Sequence, residues 1–154
     1  MTLTFAHSWP LPATPERVFT ALTNPADLMN WFAEGAMVEP KVGGVYRFWG
    51  RHTLFTPPED AARQTISHYQ PVTRLGFNWP LNEVDTNVIL DLAPNEAGTT
   101  LTLTHRVSGD LLVPRQKELI EDHWRLAIAN LTAYLAGTPS FTLPDYFAQA
   151  PRPA

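Results

Sequence analysis

The chain has no cysteine, so disulfides, thiol catalysis and cysteine-held metal sites are excluded. Its N-terminus lacks a basic segment followed by an apolar run, so no signal peptide is read there. No apolar stretch approaches the roughly 20 residues that cross a bilayer. There is no Gly-x-Ser-x-Gly nucleophile elbow, and Gly43-Gly44 lacks the phosphate-loop pattern. The five histidines include no His-x-His or His-x-x-x-His pair that would suggest a metal. Positive charge is also short: Lys plus Arg is 11 against 15 for Asp plus Glu, a net charge of −4. That balance gives no electrostatic footprint for nucleic acid or an anionic membrane. The expectation is a cytoplasmic protein with no nucleic-acid partner, no membrane span, no metal and no cofactor.

What is present is enough apolar material for one core, 154 residues of which 44% are hydrophobic. The 15 prolines sit at element ends and in the C-terminal tail. Two helix starts follow one another closely. Thr14 can cap a helix that begins at Pro15, and Asn24 one that begins at Pro25, with Asp27 near its positive end. Val18, Phe19 and Leu22 give the first helix an apolar face; Leu28, Trp31 and Phe32 give the second its own. Neither is long enough to stand alone in water.

Alternation and turn residues predict strands over 2–9, 45–50, 63–70, 74–79, 87–93 and 99–107. Residues 51–62 read as a loop, 81–86 as a polar connection and 94–98 as a hairpin loop. A long helix is predicted over 114–136, with Ile120, Trp124, Ala127, Ile128, Leu131 and Leu135 on one stripe and Gly137 after its end. The order is strand, two short helices, a run of antiparallel strands, one long helix. Such a sheet buries one face, and the long helix is its natural cover.

The pattern Pro15-Glu16-x-Val18-Phe19-x-Ala21-Leu22-Thr23-x-Pro25-x-x-Leu28-x-x-Trp31-Phe32, followed by Gly43-Gly44-x-Tyr46-x-Phe48, resembles the heat-shock-protein-90 ATPase activator homologue family of the START-like superfamily. Residues 75–79 and 124–131 resemble that family's central strand and last helix. The resemblance implies an α+β helix-grip fold over residues 1–137. A curved antiparallel sheet would hold the C-terminal helix over its concave face. It further implies a cavity between sheet and helix and a small hydrophobic or lipid-like ligand. Eukaryotic-type activators carry a further N-terminal domain, whereas here the match begins at the first strand, so chaperone activation is not carried over as an activity. A protein-interaction module and an enzyme of the cyclase or hydrolase type remain the alternatives.

The candidates to line such a site are Phe48, Trp49, His68, Phe77, Trp79, Leu90, Leu103 and His105 on strands, with Trp124 and Ile128 on the helix. Alternation turns His105 inward, where it is either a ligand contact or base or a satisfied core histidine. His68 and Asn78 turn to solvent if the register shifts by one residue. Trp31, Trp49, Trp79 and Trp124 lie on four elements; converging, they line a pocket for a flat ligand, and otherwise they fill the core. His123 reads as a surface or boundary residue, Asp91 as solvent-facing, and Glu121 and Asp122 as the wet face of the helix. Ser67 shows no base that would activate it. Arg51 and His52 are candidates for a polar rim. No catalytic residue is assigned. Phe141, Tyr146 and Phe147 make the tail, residues 138–154, too apolar for a free linker. It packs on the domain or on a second copy in a homodimer.

Overall fold

The computed structural model describes residues 2–50, 62–81, 84–108 and 114–137. Its elements are β1 (Thr2–Leu11), α1 (Pro15–Thr23), α2 (Pro25–Trp31), β2 (Gly35–Val38), β3 (Tyr46–Trp49), β4 (Thr65–Gln70), β5 (Arg74–Leu81), β6 (Val84–Asn95), β7 (Gly98–Ser108) and α3 (Pro114–Leu135). Five strands form a curved antiparallel sheet in the order β1-β7-β6-β5-β4. β2 and β3 pair separately. Their hairpin leans on the β4 edge through the Val45–Thr65 bridge and the bonds Gly43 N–H to Ile66 O (2.8 Å) and Tyr46 N–H to Gln64 O (2.9 Å).

Both predicted caps form. Thr14 Oγ1 accepts from the Arg17 amide at 3.2 Å, and Asn24 Oδ1 accepts from the Ala26 amide at 2.9 Å. The helices are locked to their surroundings by side chains that reach backbone. The Trp31 indole donates to Ala21 O at 2.9 Å, and the Tyr46 hydroxyl donates to Leu22 O at 2.6 Å. Those carbonyls belong to the last turn of α1, where no intrahelical donor remains. α3 ends where Gly137 adopts a positive φ of 75°, a conformation that favours glycine.

The sheet differs from expectation in three places. β2 is a strand of four residues that the sequence reading missed. It pairs Gly35 with Trp49, and a Cβ at Gly35 would lie 2.2 Å from the indole ring, so only glycine lets that ring lie flat on the hairpin. The expected polar connection over 81–86 belongs mostly to strands, because β5 runs to Leu81 and β6 starts at Val84. The 94–98 loop also tightens. Pairing continues to Asn95 opposite Gly98, and Asn95 Oδ1 accepts from the amides of Ala97 (2.8 Å) and Gly98 (2.7 Å).

The core lies between the concave face of the sheet and the three helices. Val18, Phe19, Leu22, Leu28 and Trp31 enter it from α1 and α2, and Ile120, Trp124, Ala127, Ile128 and Leu131 from α3. Phe19 meets Tyr69 of β4 edge-on at 5.6 Å.

Candidate functional site

Strand register builds the floor of the site. Phe77, Val88, His105 and Phe5 are paired across four strands in one row, and Leu75, Leu90, Leu103 and His7 in the next. Period-two alternation puts both rows on one face. All but Phe5 and His7 are buried. Trp79 stands one step further along β5, opposite Thr86.

His105 has its two ring nitrogens committed. The Thr86 hydroxyl donates to Trp79 O at 2.6 Å, so its oxygen accepts from His105 Nε2–H at 2.8 Å. His105 Nδ1 is then the bare nitrogen, and it accepts the Trp124 indole N–H at 3.0 Å. The hydrogen bonds thus select a neutral imidazole with its proton on Nε2. Burial pushes the His105 pKa down to about 3, which agrees with that neutral form. The result is a polar strut from β6 through β7 to α3.

His123 comes from the opposite wall. It is fully buried, contrary to its expected boundary position. It lies three residues after Ile120 and four before Ala127, so it shares their stripe. Its ring centroid lies 5.0 Å from Trp79 and 4.8 Å from Trp124. Burial, and next the neighbouring His105, push its pKa down to about 3. Two neutral imidazoles therefore sit in one aromatic cluster. Phe48 closes on Trp79 at 5.2 Å, Phe32 on Phe48 at 4.7 Å, and Trp79 on Trp124 at 5.8 Å, edge to face. Between β5 and this part of α3, the two layers meet ring against ring.

Of the candidate residues, Phe48, Phe77, Trp79, Leu90, Leu103, His105, Trp124 and Ile128 are buried together between sheet and helices. Trp49 is a correction. Adjacent strand residues point to opposite faces, so with Phe48 inside, Trp49 lies on the far side of β3, stacked 5.3 Å from the Arg47 guanidinium. His68 is the second correction. A β-bulge between Ile66 and His68 shifts the register, so that His68 opposes Gly76 and faces out. The bulge sets Ser67 Oγ 3.0 Å from His68 Nδ1 on that exposed face, a neighbouring base that the sequence reading overlooked. Asn78 is also turned from the core, its Oδ1 accepting from the Thr65 amide and hydroxyl at 2.7 and 2.9 Å.

Sequence reasoning missed Thr86, Gln64 and Asn130, all buried. Gln64 continues the ladder to β3, its amide nitrogen donating to Phe48 O at 3.2 Å. Asp91, as expected, faces outward and pairs with Arg74 at 2.6 Å; Glu121 and Asp122 pair with Arg125 on the outer face of α3. Arg51, His52 and the tail rings lie outside the described residues. Among the described residues, no three His, Asp or Glu side chains gather to hold a metal, and no helix is long and apolar enough to cross a membrane.

The far end of α3 is pinned differently. The Tyr134 hydroxyl and Arg17 Nη2, the latter at 3.2 Å, both donate to Asp27 Oδ1, and the guanidinium lies 5.4 Å from the Tyr134 ring. The bond to Asp27 raises the Tyr134 pKa. Tyr134→Phe is expected to cost about 1 kcal/mol in urea unfolding, the typical net value of one hydrogen bond. An unchanged midpoint would show that the clasp contributes nothing.

A family model described as "Activator of Hsp90 ATPase homolog 1-like protein" matches residues 12–136. No curated protein matches the chain. Among solved structures, an AHSA1-like protein of Rhizobium etli is 26% identical with a TM-score of 0.71, covering 100% of this chain and 92% of that one. A protein of Rhodobacter sphaeroides is 25% identical with a TM-score of 0.64, over 87% of this chain and 92% of its own. CalU16 of Micromonospora echinospora, 23% identical with a TM-score of 0.64 over 90% and 76%, shares the fold. The element order, the grip of the sheet on α3 and the span of the family match agree, and the chain belongs to the activator of Hsp90 ATPase homolog 1-like family.

Proposed function

We propose that the protein binds a small hydrophobic molecule, flat or lipid-like, between the concave face of the sheet and the first half of α3. The observation that carries this reading is the cluster of Phe32, Phe48, Trp79, Trp124, His105 and His123, which holds no charge. The fold commonly binds hydrophobic ligands. Because the two walls meet through ring faces and edges, an entering aromatic exchanges ring–ring contacts for ring–ligand contacts, and its binding must also offset the Trp124–His105 hydrogen bond that opening breaks. The α3 segment carrying His123 and Trp124 moves outward to admit it, while the Tyr134–Asp27–Arg17 clasp holds the other end. A cyclase or hydrolase reading needs a base with a free nitrogen. His105 would have to lose the Trp124 indole N–H from Nδ1, its one bare nitrogen, before serving as one.

Native mass spectrometry of freshly purified protein is expected to show the chain with an apolar adduct. Titration with naphthalene and with oleate is expected to change the emission of the buried tryptophans and raise the melting temperature. A bare chain mass, with neither compound altering emission or melting, overturns the reading.

A further inference from the structure

Inside the apolar cluster a polar contact joins the two walls. The Trp124 indole N–H of α3 donates to His105 Nδ1 of β7 at 3.0 Å. Both residues are buried. A molecule that enters between the sheet and the first half of α3 parts them. It leaves a donor and an acceptor facing each other across its own body, away from bulk water. Buried polar groups left unpaired are costly, so the polar atoms of the ligand decide how well it is held.

The roles of the two nitrogens are fixed. An indole nitrogen can only donate. His105 Nδ1 could carry a proton or a lone pair, and Thr86 decides between them. The Thr86 hydroxyl commits its proton to Trp79 O at 2.6 Å, so its oxygen accepts the Nε2 proton of His105 at 2.8 Å. Those bonds lie within the sheet, on β5, β6 and β7. Movement of α3 does not touch them, and Nδ1 stays an acceptor in the opened site. Burial keeps the ring neutral, its pKa pushed down to about 3.

We propose that the ligand carries a hydroxyl group that inserts between Trp124 and His105, an inference that rests on the apolar site proposed above. A hydroxyl donates and accepts through a single oxygen. That oxygen accepts from the Trp124 indole, and its proton goes to His105 Nδ1. Little movement is needed. Two hydrogen bonds of about 2.8 Å meeting at a tetrahedral oxygen hold the two nitrogens roughly 4.6 Å apart. From the closed separation of 3.0 Å, α3 retreats by less than about 2 Å at this point. Acceptor-only groups fit less well. An ether or a ketone accepts from Trp124 but leaves His105 Nδ1 without a donor. A carboxylate does the same and brings a charge among rings where, among the described residues, no Lys or Arg is buried. A fatty acid therefore leaves its head group outside the cluster.

The test compares naphthalene, naphthol and the methyl ether of naphthol, each titrated by calorimetry with the full chain. All three require the opening of α3, so their affinity ratios read the bonds that the hydroxyl makes. Naphthol is expected to bind about tenfold or more tighter than either of the others. In Trp124→Phe only His105 is left to serve the hydroxyl, and the ratio of naphthol to naphthalene is expected to fall about threefold or more. In the parent chain the NMR nitrogen resonance of His105 Nδ1 is expected to stay near its ligand-free position with naphthol. With naphthalene it shifts, because the lone pair loses its donor. Equal affinities for the three compounds overturn the proposal and leave the apolar site standing. A methyl ether that binds as well as naphthol shows that nothing is donated to His105 and overturns it too. Failure of all three to bind overturns the site, and the proposal with it. If Trp124→Phe fails to fold, the affinities and the nitrogen shift of the parent chain decide.

Discussion

Acidification from neutral pH to pH 4.5 is expected to remove about 5 kcal/mol of folding stability through two histidines alone. His105 and His123 are buried as neutral rings, with pKa values pushed down to about 3. In the unfolded chain each returns to the ordinary value of about 6.5. Between about 3 and 6.5 the unfolded state therefore binds two more protons than the folded one. Stability is fully present above the unfolded pKa and falls as pH drops below it, by about 2.7 kcal/mol per pH unit for the pair. A domain of this size has only about 5–15 kcal/mol to lose. Urea unfolding at half-unit steps from pH 7 to pH 4.5 measures the slope. His123→Leu is expected to reduce it to about 1.4 kcal/mol per unit, because one titrating group is gone. Equal slopes in variant and parent would place the acid sensitivity on carboxylates and refute the buried neutral pair. The same histidines should show no imidazole titration by NMR above pH 4 in the folded protein.

The two short helices were legible because their signals are local. Thr14 and Asn24 each precede a proline, and each accepts the amide bond that a cap requires. The long helix was legible from its stripe and from Gly137. β2 was not, since four residues beginning with glycine offer neither length nor alternation. The inward set on β5, β6 and β7 followed from parity, but parity fails at a bulge. At Ser67 one extra residue turned His68 to the outside, and nothing in its sequence announces the insertion. Trp49 was misplaced for a simpler reason. It and Phe48 are neighbours on one strand, and alternation admits only one of them to the core. Thr86 was hidden by its polarity. A threonine is tolerated inside here only because its hydroxyl is bonded on both sides, a pairing between Trp79 and His105 that no local pattern reveals. His123 was readable: its position on the Ile120–Ala127 stripe outweighs its polar type.

Trp124→Ala is expected to cost about 3–5 kcal/mol, the range for removing a large buried aromatic. The indole is 2% exposed and touches Trp79, His105, His123 and Phe32. Its N–H also supplies the donor that His105 Nδ1 accepts. Trp124→Phe separates those contributions. It keeps much of the ring contact but leaves a buried nitrogen without its donor, at a cost of about 1–3 kcal/mol. Added indole can refill the space in the alanine variant with both ring and N–H. At a hundredfold excess over its dissociation constant it is expected to return about 2.7 kcal/mol of stability. Naphthalene fills the volume without donating, so at equal concentration it should return less. If alanine and phenylalanine cost the same, the hydrogen bond rather than the ring joins α3 to the sheet. If indole and naphthalene rescue equally, the bond to His105 contributes nothing, and the strut is held by ring packing alone.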